Sequence, residues 1–240
     1  MKLEKIKLPN HIAFILDGNG RWAQRIGKSR NYGHQIGVET LKTIVKEVMN
    51  IGIPYMSVYA FSTENMERPI DEVTYLMNLA KEEFDKIQNR LNDLNYNIRI
   101  IGEDTNLSED ILKIKKNINN VPFKDKTFTL FIAFNYSSKL EILNAAKNSN
   151  SLEELENKLY TSPANQIDLL IRTSGEKRLS NFMLYQAAYA ELYFDKIFWP
   201  AYNKKHLLKA LKWYSKRKRN FGKIWGKLCL KEHWLQLSYV

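Results

Sequence analysis

Six consecutive residues, Asp17-Gly18-Asn19-Gly20-Arg21-Trp22, bring a carboxylate, a two-glycine backbone and a guanidinium to one point of the chain. Glycines let the backbone come close to a ligand and leave N–H groups free to face an anion. Arg21 adds a rigid, multi-donor fork suited to phosphate. A carboxylate beside phosphate is repulsive unless a cation bridges the two. Asp17 therefore points to Mg²⁺, a hard ion that takes one or two carboxylates together with substrate phosphates. The bland alternative is a strand-to-helix turn with Asp17 as its N-cap.

Further polar clusters extend the pattern. Arg30 and His34 lie one helical turn apart just downstream, near the start of an expected helix, where anions bind favourably. Ser62-Thr63-Glu64-Asn65, followed by Arg68, makes either a functional loop or a simple helix cap. Arg172, Arg178 and Ser180, with Glu176 between them and Gly175 close by, form a plausible second anion cradle. Glu191 stands in an otherwise apolar run and calls for a partner, either a core ion pair or a metal. The GxxxxGK[ST] phosphate loop, the GxGxxG dinucleotide fingerprint and the GxSxG elbow are all absent. Two anion cradles and a carboxylate, rather than a nucleotide loop, suggest a pair of diphosphates, one with an apolar tail.

These residues need a scaffold that gathers them. Apolar runs at 12–16, 55–61, 98–101, 128–134 and 167–171 read as strands, and a further one fits within 189–199. Helices are expected over 34–50, 71–92, 108–118, 139–147, 152–160, 181–190 and 206–220. The alternation predicts an α/β fold whose central, mostly parallel sheet of about six strands is flanked by helices. The loops after at least four strands then open on the sheet edge where such folds bind ligands. The stripe Val73, Leu76, Met77, Leu79, Ala80, Phe84, Ile87 and Leu91 is wider than one core face needs.

The chain has 240 residues, 44% hydrophobic and 26% charged, enough for a real core. Its one cysteine, Cys229, excludes an internal disulfide and fits a reducing compartment. The charged start has no apolar signal-peptide core, so a cytoplasmic protein is expected. The net charge is +11, but between positions 204 and 231 there are eleven Lys/Arg and no Asp or Glu, and the remainder is neutral. Such a segment suits an anionic membrane, RNA or a polyanionic substrate.

The runs 11–30, Tyr59-Ala60-Phe61-Ser62-Thr63-Glu64-Asn65, 172–182 and 189–199 together resemble the cis-prenyltransferases, closest to their bacterial undecaprenyl diphosphate synthases. The resemblance covers residues 10–222, with four motifs in order, and marks 1–222 as one catalytic domain and 223–240 as a basic, aromatic tail. It implies a homodimer, a hydrophobic tunnel and sequential addition of isopentenyl diphosphate to an allylic diphosphate, usually farnesyl. The product would be a long cis-polyprenyl diphosphate such as undecaprenyl diphosphate, a lipid-carrier precursor for cell-wall synthesis, or a shorter or longer relative. Asp17 would be catalytic and bind Mg²⁺ with Glu191. Gly18, Asn19, Gly20 and Arg21 would grip the allylic diphosphate with Arg30 and His34, while Trp22 packs near the tunnel mouth. Arg172, Arg178, Leu179 and Ser180 would hold isopentenyl diphosphate. Asn65 would serve proton removal, within a mobile loop of Ser62, Thr63, Glu64, Met66 and Arg68.

Three departures stand out from that pattern. Met66 replaces the usual Trp, Thr173-Ser174-Gly175 replaces a two-glycine version, and the stretch between Tyr136 and Asp168 is short. The tail, with Trp225, Leu228, Leu230, Trp234, Leu235 and Leu237, reads equally as an interfacial membrane helix or a packed extension. Two competing functions fit less well. A non-catalytic prenyl-synthase subunit would lose the aspartate motif, and an RNA-binding protein would leave the four polar loops of a neutral body unused. No nucleic-acid partner is expected.

Overall fold

The first apolar run forms β1 (His11–Ile15), which takes a central place in the sheet. In the computed structural model, which describes residues 6–123 and 128–218, six strands run in the order β3-β4-β2-β1-β5-β6, every neighbouring pair parallel. The others are β2 (Tyr55–Ser62), β3 (Asn97–Ile101), β4 (Thr129–Tyr136), β5 (Leu169–Arg172) and β6 (Glu191–Phe194). Alternate β1 residues enter two separate cores: Ile12 and Phe14 face one, Ala13 and Ile15 the other. That two-sided burial is why the strand reads as an unbroken apolar run.

The first core is covered by α2 (Arg30–Ile51), α3 (Ile70–Gln88), α4 (Glu109–Asn119) and α7 (Lys204–Ser215). A short α1 (Asn19–Arg25), α5 (Ser138–Lys147) and α6 (Leu152–Lys158) complete the helices among the described residues. α2 starts four residues earlier than its apolar periodicity predicts, because the Ser29 hydroxyl caps it by accepting from Tyr32 N–H. The expected helix over 181–190 does not form. Ser180, Asn181 and Met183 all have positive φ, and the Asn181 side chain is drawn away to Glu64, Ser137 and the Lys139 N–H. The basic helix ends at Ser215. The expected tail 223–240, Cys229 and the basic positions from 219 onward lie outside the described residues.

Fully buried Trp199 binds this scaffold to the Asp17 loop. Its ring packs on Phe14 and Tyr202, its indole N–H donates to Gly37 O at 2.8 Å, and its backbone N–H donates to Asp17 O at 3.0 Å. Trp199→Ala is expected to cost about 3–5 kcal/mol. A denaturant midpoint shift worth less than about 1 kcal/mol would contradict this packing role.

Candidate active site

Chain connections leave β1 toward β2 on one side and β5 toward β6 on the other, so the strand order reverses between β1 and β5. Open α/β sheets bind ligands in the crevice outside the strand ends at such a point. Asp17 follows β1, and Arg172 ends β5 opposite Ile15. The two segments are clamped through Thr173, whose hydroxyl accepts from Asp17 N–H at 2.9 Å and donates to Asp17 O at 2.7 Å.

Asp17 is not an N-cap. Gly18 occupies that position of α1 at φ 99°, a left-handed conformation, and a Cβ there would lie 2.4 Å from the Phe198 ring. The Asp17 carboxylate is thereby left for two guanidinium groups: Oδ1 accepts from Arg21 at 3.0 Å and Oδ2 from Arg172 at 2.8 Å. Burial opposes its ionisation, but the hydrogen bonds and charge of Arg172, then of Arg21, outweigh that and hold it below the usual carboxylate range. Arg21 also donates to Glu176 (2.7 Å) and Ser174 (2.7 Å), and Glu176 receives Arg178 at 2.6 Å. Arg21, Arg25, Lys196, Ser174, Gly175 and Phe198 line an open cleft of about 660 Å³ beside this network.

The second cradle differs from its expected layout. Arg172 is buried, and its two Nη groups serve Asp17, the Arg178 carbonyl (2.6 Å) and the Ser180 hydroxyl (2.7 Å). Its hydrogen bonds join Asp17 to the 178–180 turn. Only its buried Nε lacks a hydrogen-bond partner. Arg178, 59% exposed, is the arginine of the pair that faces solvent, and Leu179 packs on the second core.

The expected allylic cradle assembles around Gly20. A Cβ at that position would lie 2.7 Å from the Arg30 guanidinium, so the missing side chain is the space the arginine fills. Asn19 is held by Leu16 O, and Gly33 passes so close that a Cβ would meet Asn19 O at 2.1 Å. Trp22 stacks on Tyr32 at 6.1 Å between ring centroids. Arg30, Arg68 and His34 all meet one carboxylate, Glu72, which sequence reasoning missed. The signal available was its spacing: Glu72 follows Arg68 by four positions at a helix start. His34 is pushed down by burial first, and by Arg68 and Arg30, against the pull of Glu72.

Ser62, Thr63, Glu64 and Asn65 do not cap α3. They form their own 3₁₀ turn (Thr63–Glu67), in which Asn65 Oδ1 accepts from Ser62 N–H at 3.1 Å. Met66 is partly buried and packs against the first core. Glu64 accepts from Asn181 at 2.8 Å, tying the turn to the 180–183 segment.

The sheet register sets Glu191 at a different level of the sheet from Asp17. It begins β6, paired with Leu169, whereas the ligand edge lies at the other end, where Arg172 pairs with Phe194. Three residues of strand, about 10 Å, separate those levels. Glu191 is not a buried carboxylate, since β6 is an edge strand and Arg217 Nε lies 3.7 Å from it. Among the described residues, no group of three His, Cys, Asp or Glu forms a metal cluster. The donors nevertheless fit Mg²⁺, because an ionised, partly exposed Asp17 with spare lone pairs is the single carboxylate such an ion needs beside phosphate oxygens.

Residues 15–222 match a family model described as "Putative undecaprenyl diphosphate synthase". An isoprenyl transferase of Thermotoga maritima is 41% identical over 228 residues, covering 90% of this chain and 98% of that protein. A ditrans,polycis-undecaprenyl-diphosphate synthase of Haemophilus influenzae, named as (2E,6E)-farnesyl-diphosphate specific, is 38% identical over 235 residues, covering 92% and 98%. Lavandulyl diphosphate synthase from Lavandula x intermedia, solved with dimethylallyl diphosphate, superposes with a TM-score of 0.82 at 28% identity, covering 90% of this chain and 99% of that one.

Proposed function

The chain belongs to the undecaprenyl diphosphate synthase family of prenyltransferases, and we propose that it adds isopentenyl diphosphate stepwise to an allylic diphosphate, farnesyl diphosphate first, to build a long cis-polyprenyl diphosphate. The observation that carries this reading is Asp17, kept ionised between Arg21 and Arg172 at the strand-order reversal, with Arg30 set against Gly20 and joined to Arg68 through Glu72.

Breaking the allylic carbon–oxygen bond sends its electron pair onto the departing diphosphate. Arg21, Arg30 and Arg68 are pre-placed donors for that charge. The glycines at 18 and 20 let the diphosphate come close to the backbone. Mg²⁺, held by Asp17 and substrate phosphate oxygens, would supply further neutralisation of the same leaving group. Arg178 and Ser180 hold the second diphosphate, and Arg172 sets their turn relative to Asp17. The isopentenyl double bond attacks the allylic carbon, a carbon–carbon bond forms, and a proton leaves the adjacent carbon. Asn65, a weak base whose carbonyl is already engaged, orients the acceptor of that proton, a water or a diphosphate oxygen.

The growing chain is assigned to the side of the sheet carrying α3, whose Leu76, Met77, Ala80 and Ile87 are only partly buried against the core. Within its own chain Glu191 stands at the wrong end of the sheet for the ion of Asp17. Its expected metal role therefore requires a second copy, and the β6 edge, with Leu192 and neighbouring Tyr189 exposed, is where the homodimer is proposed. No helix of the described residues is long and apolar enough to cross a membrane. A peripheral contact through the basic C-terminal segment suits a product that enters lipid.

Incubation with farnesyl diphosphate, labelled isopentenyl diphosphate and Mg²⁺, followed by sizing of the products, tests the assignment. A ladder of long allylic diphosphates is expected, and its upper limit separates the undecaprenyl product from a shorter or longer one. No chain growth with all three components present would overturn it.

A further inference from the structure

Glu72 belongs to none of the motifs that point to the site, yet two of the expected diphosphate ligands, Arg30 and His34, converge on it together with Arg68 of the neighbouring loop. Its side chain is 10% exposed. Oε2 accepts from Arg30 Nε at 3.1 Å, and Oε1 accepts from Arg30 Nη2 at 3.2 Å and Arg68 Nη1 at 3.1 Å. His34 Nε2 lies 3.3 Å from the same Oε1. Acidic residues in a first helical turn ordinarily just complement the helix dipole. Asp71, exposed at the neighbouring position of α3, is such a residue. Glu72 is different, because it is buried and turned across to α2.

Two of the four donor atoms it meets, Arg30 Nε and His34 Nε2, have no second hydrogen to offer, unlike Arg30 Nη2 and Arg68 Nη1. His34 Nε2 offers one hydrogen-bonding position, and Arg30 Nε carries one hydrogen. A diphosphate oxygen that reaches either atom must take the place of a Glu72 oxygen. Arg30 already lies against Gly20, so the contested position adjoins the Asp17 loop. A diphosphate carries more charge and more acceptor oxygens than one carboxylate, so the same cations favour it in direct exchange.

We propose that Glu72 is a resident anion of the allylic diphosphate cradle, displaced when a diphosphate binds and returning when it leaves. The proposal rests on reading Arg30, His34 and Arg68 as that cradle. Glu72 keeps the arginines from repelling each other in the empty site, and it lowers diphosphate affinity by competing for them, which helps a finished product depart. It also links the diphosphate to α3: Glu72 is in the first turn of that helix, and buried Val73 follows it.

Calorimetric titration with inorganic pyrophosphate, at fixed ionic strength, compares the wild-type chain with Glu72→Gln and Arg30→Ala. Glu72→Gln keeps the shape and removes the competing charge, and should bind pyrophosphate about tenfold more tightly. Arg30→Ala should bind it about tenfold more weakly or worse. If Arg30→Ala weakens binding while Glu72→Gln leaves it unchanged or weaker, Glu72 merely holds the cations and the proposal falls. If Arg30→Ala has no effect, the cradle reading itself fails. A crystal structure of the wild-type chain with pyrophosphate gives an independent answer should a variant fold poorly. The Glu72 carboxylate is expected outside hydrogen-bond distance of His34 Nε2, and its persistence there beside pyrophosphate bound to Arg30 would refute the exchange.

Discussion

Asp17→Asn is expected to lower kcat by about a thousandfold, roughly 4 kcal/mol of transition-state stabilisation, with the fold retained. Asparagine matches the side chain in size and keeps one carbonyl oxygen for a guanidinium, but the negative charge is gone. Two functions rest on that charge: the proposed ligation of Mg²⁺ and the counter-charge to buried Arg172. The second brings a stability cost. Truncation to alanine would leave a buried guanidinium donor with no partner, at about 1–3 kcal/mol, so the amide is the cleaner test. The pH dependence has a definite sign. Asp17 is depressed in the folded chain, so its ionised form contributes stability above the unfolded carboxylate pKa, and that contribution is lost as pH falls through the folded value. Denaturant melts should thus separate wild type from Asp17→Asn near neutrality and bring them together in acid. Near-normal chain elongation by the variant would contradict the role given to Asp17.

Much of this site is legible in the sequence because its parts are local. The runs at 12–16 and 128–134 must be buried on both faces, since nothing in them alternates, and both become central strands. Polar residues that follow such strands are then bound to share an edge, and this alone groups Asp17, Ser62 and Arg172. What escapes is set by partners distant in sequence. Segment 181–190 has helical composition, but Asn181 is drawn off by Glu64, across a separation of 117 residues. Glu191 sits among apolar neighbours and reads as buried, whereas it opens an edge strand, and no local pattern tells an edge from a centre. Glu72 resembles any first-turn acid until Arg30 and His34 are brought over from α2.

Arg172→Lys separates a strap from a point charge. Two Nη groups of Arg172 make three bonds in different directions, to Asp17 Oδ2, the Arg178 carbonyl and the Ser180 hydroxyl, at 2.6–2.8 Å. A single ammonium on a flexible stem cannot span the same three acceptors, although the charge is conserved. Lysine also strands a buried site shaped for a planar fork, 4% exposed in the folded chain. The variant is expected to lose about 2–4 kcal/mol of stability by chemical denaturation, on the scale of breaking a buried, hydrogen-bonded charge pair. Its kcat/KM should fall at least about a hundredfold, because Asp17 and the 178–180 turn lose their common reference and small misplacements of reacting groups are costly. The two readouts discriminate between roles. If Arg172 only supplied positive charge to a diphosphate, lysine would retain most of the activity and nearly all of the stability. A large loss in both, with Arg178→Lys far milder because that side chain is exposed, is what a buried strap between the two halves of the site requires.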